Sequence, residues 1–354
     1  MIHPRAHLAS IRRSPEAALL RPDVIRLDLN ERVPPYPREF LNELLSALSP
    51  AAISNYPDVR PLITRLSDVW QVPASHLYAT NGSDAAIRLM FQAFLDPRDV
   101  VVMPEPTYAM YPIHAALADA VTVALPYERS GHMDKARLLE AVAKGPRVLA
   151  MAVPDQPTGA VLSVADLADI VDAAKQRGTL VIVDEAYFPF HPHTMLPMVE
   201  RFDNLAVIRS FSKAYGLAGL RLGVIAAQPS ILGAVEKVRG AFEVNAAAIG
   251  LAIALLDRPN VIKEFVAQVE AGRRLVVAAL NDAGLEAPHC PTNFQLVHCG
   301  TPAEAARIVE SLLTQGYAVR GPLAAPFDSS FRITLGSVEV MGPFADALRR
   351  AKRV

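Results

Sequence analysis

The sequence has few of the features that mark disulfide-stabilised, membrane or nucleic-acid-binding proteins. It contains only two cysteines, Cys290 and Cys299, which are too few for a disulfide framework and lack the paired spacing of a zinc site. The formal net charge is −1, without a long run of one sign, so nothing indicates a nucleic-acid or membrane surface. We therefore expect a cytoplasmic protein without a metal, whose partners are small molecules or copies of itself.

Long apolar runs are also missing. The longest, AAAIGLAIALL at Ala246–Leu256, has about half the length needed to cross a bilayer. The N-terminal stretch carries basic residues and prolines but no apolar core of signal-peptide length. We predict that Ala246–Leu256 is a buried helix and that residues 1–28 form an arm leading into the fold.

What recurs along the chain is a short β-branched run, a Pro/Gly or polar cluster and then a helical pattern. This order is typical of βαβ units and a mainly parallel sheet. The clearest unit has strands in RVLAMAVP and LVIVDEAY, separated by a helix that opens with a Ser163–Asp166 capping box and stops at Gly178. Further buried parallel strands are predicted in DVVVMPEP, NLAVIRS and LGVIAAQ. We predict an α/β protein with a large domain at 51–261 and a smaller α/β domain at 29–50 and 262–354.

Two charged residues follow predicted strands closely, at the sheet edge where open α/β sheets bind ligands. Lys213 follows NLAVIRS, and a partly desolvated lysine loses its proton readily and can form a Schiff base. Asp184 directly follows the apolar run LVIV, so its carboxylate needs a cation if it is buried. A protonated pyridine nitrogen is one such partner, and a loop cap or a pair with an arginine are the alternatives.

A phosphate site is indicated at the start of an amphipathic helix. Gly82 and Ser83 stand directly before that helical pattern, which favours an anion, although Asp84 fits a plain N-cap equally well. Ser210, Ser212 and Arg221 would complete a phosphate cup. Pyridoxal 5'-phosphate accounts for all these residues: its aldehyde suits the lysine, its ring nitrogen the aspartate and its phosphate the cup. Tyr108, Tyr111 and Tyr187 fit core packing without further context.

A series of motifs extends these observations over nearly the full length. The motifs NYPD, TNGSD, PTYAMY, PTG, VDEAYFPF, SFSKAYGLAGLRLG and FRITLG begin at Asn55, Thr80, Pro106, Pro157, Val183, Ser210 and Phe331. In this order they resemble the histidinol-phosphate aminotransferase family, within the fold-type I pyridoxal-phosphate aminotransferases. The resemblance implies that fold, a homodimer and a role in amino-acid biosynthesis. It also implies transfer of an amino group from histidinol phosphate, or a related amino acid, to a 2-oxo acid such as 2-oxoglutarate.

The resemblance also implies roles by position. Lys213 would hold the cofactor as a Schiff base and act as base and acid, with Asp184 facing the ring nitrogen. Tyr187 and Gln156 would face the 3'-oxygen, and Tyr108 would stack on the ring. The phosphate would be surrounded by Gly82, Ser83, Asp84, Ser210, Ser212, Arg221 and the partner subunit's Tyr56. The substrate would meet Asn30, Arg320 and Arg332.

Three positions depart from the family pattern. Gln156 in DQPTG replaces the usual asparagine, so the side chain here is one methylene longer. Arg32 in LNER stands where an asparagine is expected, so it either adds a cation near the substrate or points to solvent. Ala85 follows Asp84 where an acid is common, and we have no functional account of that change.

The departures keep other activities open. One is a decarboxylase of a phosphorylated amino acid, and another is an aminotransferase for an aromatic or other amino acid. A ligand sensor is disfavoured because the chain has neither the length nor the basic patch of an added DNA-binding module. A nucleotide-dependent dehydrogenase is disfavoured because no Gly-x-Gly-x-x-Gly follows an early strand.

Overall fold

The computed structural model describes residue 3 and residues 5–11, 24–46, 48–52, 54–127 and 131–353. Much of the predicted N-terminal arm, at residues 1, 2, 4 and 12–23, lies outside the described residues. The strands are β1 (Ile25–Leu27), β2 (Leu77–Thr80), β3 (Val100–Glu105), β4 (Val121–Pro126), β5 (Val148–Ala152), β6 (Leu180–Asp184), β7 (Leu205–Ser210), β8 (Gly223–Ala227), β9 (Phe294–His298), β10 (Tyr317–Val319) and β11 (Ser330–Thr334).

Helices connect most of these strands. The α-helices are α1 (Arg38–Ser46), α2 (Arg60–Trp70), α3 (Gly82–Phe94), α4 (Met110–Leu117), α5 (Lys135–Ala143), α6 (Val164–Lys175), α7 (Pro229–Val238), α8 (Ala246–Leu256), α9 (Pro259–Asp282), α10 (Pro302–Thr314) and α11 (Val338–Arg353). Short 3-10 helices cover Ala6–Ser10, Pro50–Ala52, Ala74–His76, Leu196–Glu200 and Ala218–Leu220. Within the described ranges, no helix is both long enough and apolar enough to cross a membrane.

A seven-stranded sheet has the order β2-β8-β7-β6-β5-β3-β4. The pairs β3–β4, β3–β5, β5–β6 and β6–β7 are parallel, which confirms the predicted mainly parallel α/β architecture. The prediction of a parallel strand in LGVIAAQ is wrong, because β8 runs antiparallel to both β7 and β2. The physical reason lies in the β7–β8 connection, whose only helix is the short turn Ala218–Leu220. A parallel return normally needs a crossover helix.

Both faces of this sheet are buried. Apolar side chains of α3, among them Ile87 and Phe91, pack on one face, and those of α6 and α8 pack on the other. The predicted buried helix corresponds to α8, which Asn245 caps by accepting a hydrogen bond from Ala248 N at 2.8 Å. In α6, the Ser163 side chain accepts from Asp166 N at 3.1 Å, as the capping box predicts. Because helices cover both faces, the sheet is open at one edge, where the carboxyl ends of β5, β6 and β7 lie side by side.

The C-terminal part forms a second core. β9 pairs antiparallel with β11, β1 pairs parallel with β10, and a bridge between Arg320 and Arg332 connects the two pairs. The core includes Phe331 and side chains of α9 and α11. β1 joins it from within the predicted arm, whereas Leu44 of α1 belongs to the core of the large sheet. This second core supports our proposal of a small domain around 262–354.

Candidate active site

A cavity of about 370 Å³ lies beside the carboxyl ends of β5, β6 and β7, where the parallel strands predict a ligand site. Many residues selected from the sequence line it: Ser83, Tyr108, Gln156, Asp184, Tyr187, Ser210, Ser212, Lys213, Arg221 and Arg332. Residues that sequence reasoning did not select also line it: Leu29, Glu31, Ala152, Ala186, Ala218 and Gly219. The folded chain therefore brings together groups from segments far apart in sequence.

Lys213 supplies an amine to this cavity. Its side chain is half-buried, and Nζ donates to the carbonyl oxygen of Leu29 at 3.0 Å. Burial, with the nearby positive charge of Arg332, lowers the pKa of Lys213 to about 8. The neutral fraction of this amine near physiological pH is therefore much larger than that of an ordinary lysine, which favours nucleophilic or basic chemistry.

Asp184 ends β6 as a buried carboxyl group, with only 3% of its surface exposed. Its Oδ2 accepts from the Tyr111 hydroxyl at 3.1 Å, and its Oδ1 accepts from Ala186 N at 2.9 Å. Burial outweighs these hydrogen bonds and raises the pKa of Asp184 to about 7. A cation placed opposite would favour the ionised form, so this carboxyl group suits a ligand with a protonated nitrogen.

Sequence reasoning missed the contact of Tyr111 with Asp184. Tyr111 is fully buried, as core packing requires, but its hydroxyl also donates a hydrogen bond to the Asp184 carboxylate. Its spacing of three residues from Tyr108 in PTYAMY was the available signal, because Tyr108 lies just before α4, Tyr111 lies in its first turn, and the two rings meet edge to face. Tyr108 itself lines the cavity.

The start of α3 forms an anion site together with Arg221. Gly82, the first residue of α3, has φ +84°, and a Cβ atom there would lie 2.7 Å from Arg221 Nη2. Glycine thus permits the guanidinium to cross the helix start. Arg221 Nη1 also donates to Ser212 Oγ at 3.3 Å. Helix amides, serine hydroxyls and a guanidinium are the donors that a phosphate prefers.

Besides Gly82, two residues predicted near the phosphate lie outside the cavity lining. Asp84 is in the first turn of α3, but its Oδ1 lies 3.0 Å from His114 Nε2 on α4. Tyr56 is 80% exposed, and its ring stacks on that of Phe242 with centroids 4.4 Å apart. Within this single chain, therefore, neither side chain lines the cavity.

Asn30, Tyr187 and Gln156 form a connected group on another side of the cavity. Asn30 Nδ2 donates to the Tyr187 hydroxyl at 2.8 Å and to Gln156 Oε1 at 3.1 Å. The Tyr187 hydroxyl donates to the same Gln156 Oε1 at 2.8 Å. Asn30 is fully buried and does not line the cavity. Tyr187 and Gln156 both line it.

The two predicted substrate arginines occupy different environments. Arg332 is 5% exposed and donates from Nη2 to the Asp28 carbonyl at 2.9 Å. Its buried Nε has no hydrogen-bond partner among the described residues, and burial lowers its pKa to about 10. Arg320 is exposed and lines a neighbouring cavity of about 420 Å³ together with Asp28. Of these two arginines, Arg332 is the one that lines the first cavity.

Arg32 does not line the cavity, nor does it point freely into solvent. Its guanidinium carbon lies 4.1 Å from the ring centroid of Tyr36 and 3.9 Å from that of Phe265. Burial lowers the pKa of Arg32. The side chain therefore packs as a cation between two aromatic rings, one of them on α9.

Comparisons with known proteins agree with this chemistry. The model of the family "Aminotransferase class I and II" matches residues 23–348. A histidinol-phosphate aminotransferase of Symbiobacterium thermophilum is 34% identical over 93% of this chain and 91% of its own length. One from Bacillus subtilis strain 168 is 33% identical over 80% of each chain. The crystal structure of histidinol-phosphate aminotransferase from Sinorhizobium meliloti with pyridoxal-5'-phosphate has a TM-score of 0.91 at 25% identity, covering 100% of this chain and 98% of that one.

The fold and the cavity define a pyridoxal-phosphate-dependent enzyme of fold type I. An amine suits the cofactor's aldehyde, a buried carboxyl group suits its ring nitrogen, and the start of α3 suits its phosphate. The chain belongs to the aminotransferase class I and II family, and it is an aminotransferase that uses pyridoxal 5'-phosphate.

Proposed function

We propose that this aminotransferase takes the amino group of histidinol phosphate, or of a closely related donor, and passes it to a 2-oxo acid such as 2-oxoglutarate. The observation that carries the proposal is the shared cavity of Lys213, Asp184 and Arg332. It occurs in a chain whose relatives from two bacteria bear the name histidinol-phosphate aminotransferase. The role would be in amino-acid biosynthesis.

Different residues of the cavity would have different roles in the reaction. The bound cofactor supplies an aldehyde and an electron sink. We propose that the Asp184 carboxylate stabilises positive charge on the ring nitrogen and that Tyr108 stacks on the ring. Lys213, whose pKa is about 8, would take the proton from the donor's Cα and return it as a general acid. The Leu29 carbonyl, 3.0 Å from Nζ, orients this amine.

The remaining predicted residues would bind the two ends of the ligands. We propose that Gly82, Ser83, Ser210, Ser212 and Arg221 hold the cofactor phosphate. Asp84 would support this site indirectly, through its contact with His114. Arg332 would bind the carboxylate of the oxo acid, because its buried Nε lacks a partner among the described residues. Arg320 would meet the distal group of the donor from the neighbouring cavity, which Asp28 also lines.

A single-turnover assay tests the donor. Purified holoenzyme is mixed with histidinol phosphate, phosphothreonine, and aromatic and acidic amino acids, and mass spectrometry follows cofactor, product and carbon dioxide. We expect pyridoxamine phosphate to form fastest with histidinol phosphate. Release of carbon dioxide with unchanged pyridoxal phosphate would identify a decarboxylase, and faster amination from another donor would reassign the substrate.

We also propose a homodimer in which the partner subunit's Tyr56 reaches the phosphate. Tyr56 is 80% exposed and Phe242 is 55% exposed, and the two rings stack. An exposed aromatic pair of this kind is typical of a surface that another chain covers. Its place outside the cavity of its own chain agrees with a role in a second subunit.

Mixing two inactive variants tests this arrangement. Tyr56→Ala and Lys213→Ala chains are unfolded together and refolded, so that mixed dimers form. If Tyr56 acts across the interface, each mixed dimer contains one complete site, and about a quarter of the native sites should return. If Tyr56 acts within its own chain, mixing restores nothing beyond the activity of the separate variants.

We propose a cytoplasmic location as well. Cys290 and Cys299 are both buried free thiols, which suits a reducing compartment. Cell fractionation with an antibody to the protein would test it, and recovery in a secreted or periplasmic fraction would contradict it.

A further inference from the structure

Arg32, which stands where an asparagine is expected, packs against the turn that carries Lys213. That turn, residues 213–216, is closed by a hydrogen bond from Gly216 N to the Lys213 carbonyl at 3.1 Å. Gly216 has φ +63°, and a Cβ atom added there would lie 2.5 Å from Arg32 Cδ and 3.1 Å from Arg32 Cβ. The glycine therefore leaves room for the arginine stem directly against the turn.

The segment to which Arg32 belongs, residues 29–36, contacts this turn at two further points. At one end, the Leu29 carbonyl accepts from Lys213 Nζ at 3.0 Å. At the other end, the Tyr36 hydroxyl donates to the Tyr215 carbonyl at 2.8 Å. Arg32 lies between these two contacts in sequence. The segment thus holds the turn at three points, one of which is the amine itself.

The same segment is attached to the second core. Thr334 Oγ1, at the end of β11, accepts from Asn30 N at 2.9 Å. Ser337 N donates to the Val33 carbonyl at 3.2 Å. The segment is therefore bound on one side to the C-terminal part of the chain, and it meets the lysine turn on the other.

Stacking rather than hydrogen bonding holds the Arg32 guanidinium. Its carbon lies 4.1 Å from the ring centroid of Tyr36 and 3.9 Å from that of Phe265 on α9. Nε and Nη1 are buried and have no hydrogen-bond partner among the described residues. A guanidinium suits a place between two rings because it is planar and more weakly hydrated than an ammonium. Arg32 therefore joins α9, the segment and the lysine turn in one packed contact.

We propose that Arg32 is a positioning residue for Lys213, which keeps residues 29–36 packed on the lysine turn. Leu29 and Glu31 of this segment line the cavity, so the segment is part of the wall that separates the amine from water. It also places the Leu29 carbonyl beside Nζ. The inference rests on the proposed function only in the role given there to Lys213, and it holds for any amino donor.

Removing the Arg32 side chain should loosen this wall and admit water to the amine. Loss of the Leu29 acceptor alone would lower the pKa of Lys213, because a hydrogen bond from the ammonium favours the charged form. Added water raises that pKa, and burial is the main reason that it is low. We therefore expect Arg32→Ala to raise the pKa from about 8 toward the ordinary 10.5, by about one pH unit or more.

Reductive methylation of the full-length, cofactor-free protein measures this pKa. Formaldehyde and cyanoborohydride are applied briefly at several values between about pH 6 and pH 10, and peptide mass spectrometry follows the labelling of Lys213. The rate follows the neutral fraction of the amine, since the neutral form is the nucleophile. No cofactor or donor is present, so the result is separate from the single-turnover assay that tests the substrate.

Two matched variants separate positioning from charge. Arg32→Met keeps an unbranched side chain between the two rings and removes the charge, so it should raise the pKa of Lys213 by less than about half a pH unit. If it raises the pKa as far as Arg32→Ala does, the charge of Arg32 acts on the amine and the proposal is overturned. Arg201→Ala removes an exposed guanidinium that lies 4.9 Å from the Phe202 ring and should leave the pKa unchanged.

Thermal melting of each variant identifies a merely structural role. A structural arginine would lower the melting temperature of Arg32→Ala and leave the pKa of Lys213 at its native value, which also overturns the proposal. If Arg32→Ala does not fold, Tyr36→Leu takes its place, because it removes one stacking ring and the contact with Tyr215 but keeps the charge of Arg32. It should raise the pKa by about half a pH unit or more, and an unchanged pKa would contradict the proposal.

Discussion

Replacing Lys213 with alanine is expected to abolish the visible absorption band of the lysine-bound cofactor and to lower kcat about 10⁴-fold, the upper end for general acid–base catalysis. The variant loses both the amine that binds the aldehyde and the group that moves the Cα proton. Fold and stability should change little, because Lys213 makes one hydrogen bond within the described part of the chain, from Nζ to the Leu29 carbonyl.

The matched control is Lys144→Ala. Lys144 is a surface lysine whose side chain is 73% exposed, so its removal should leave spectrum and kcat unchanged. Absorbance from 300 to 500 nm and single-turnover rates should be measured on both variants. A Lys213→Ala protein that keeps the visible band and turns over at the native rate would show that another group binds the aldehyde.

Asp184→Asn is expected to lower kcat about 10³-fold, because a preorganised charge opposite the developing charge is worth this much. The neutral amide keeps the shape of the side chain and can still accept one hydrogen bond from Tyr111 or Ala186. It cannot hold a proton on the ring nitrogen. Cofactor binding should weaken but persist, since the phosphate site at Gly82 and Arg221 is unchanged.

The same substitution should stabilise the cofactor-free protein. The pKa of Asp184 is about 7 in the folded chain and 3.8 ordinarily, so between these values the folded state holds a proton that the unfolded state has lost. The contribution of Asp184 to the free energy of unfolding therefore falls by about 1.4 kcal/mol per pH unit as pH rises from about 4 to about 7. Above pH 7, both states are ionised and the full cost of the buried charge remains.

Urea unfolding of the cofactor-free proteins at several pH values measures this effect. At pH 8 the Asp184→Asn variant should be more stable by about 1–3 kcal/mol, with the unsatisfied amide hydrogens offsetting part of the gain. At pH 4 the difference should vanish or reverse. Asp155, whose pKa burial also raises to about 7, will leave some of the pH dependence in the variant. Equal stabilities of native and variant proteins at every pH would contradict the buried-charge explanation.

The site can be compared with its sequence-based prediction residue by residue. Lys213, Asp184, Gln156, Arg221 and Arg332 meet in one cavity, as the order of strands and motifs suggested. Their roles in binding and catalysis remain predictions. Tyr111, expected only as core packing, contacts Asp184 because α4 places its hydroxyl against the end of β6.

The sequence by itself determined the class of fold, the family and the cofactor. Apolar runs and turn residues are local signals of strands and their ends, and the lysine motif carries the amine together with part of its phosphate site. These features depend on neighbours in the chain, so a linear pattern can show them. The bounds of β5, β6 and β7 accordingly fall inside the predicted segments.

Only the tertiary structure decided the antiparallel direction of β8, the stacking of Arg32 on Tyr36 and Phe265, and the contact of Gln156 with Asn30. Each depends on contacts between segments that are distant in sequence or on the geometry of a connection. The direction of each hydrogen bond among Asn30, Tyr187 and Gln156 depends on all three residues, because each proton can be donated to one acceptor at a time. No local pattern contains that information.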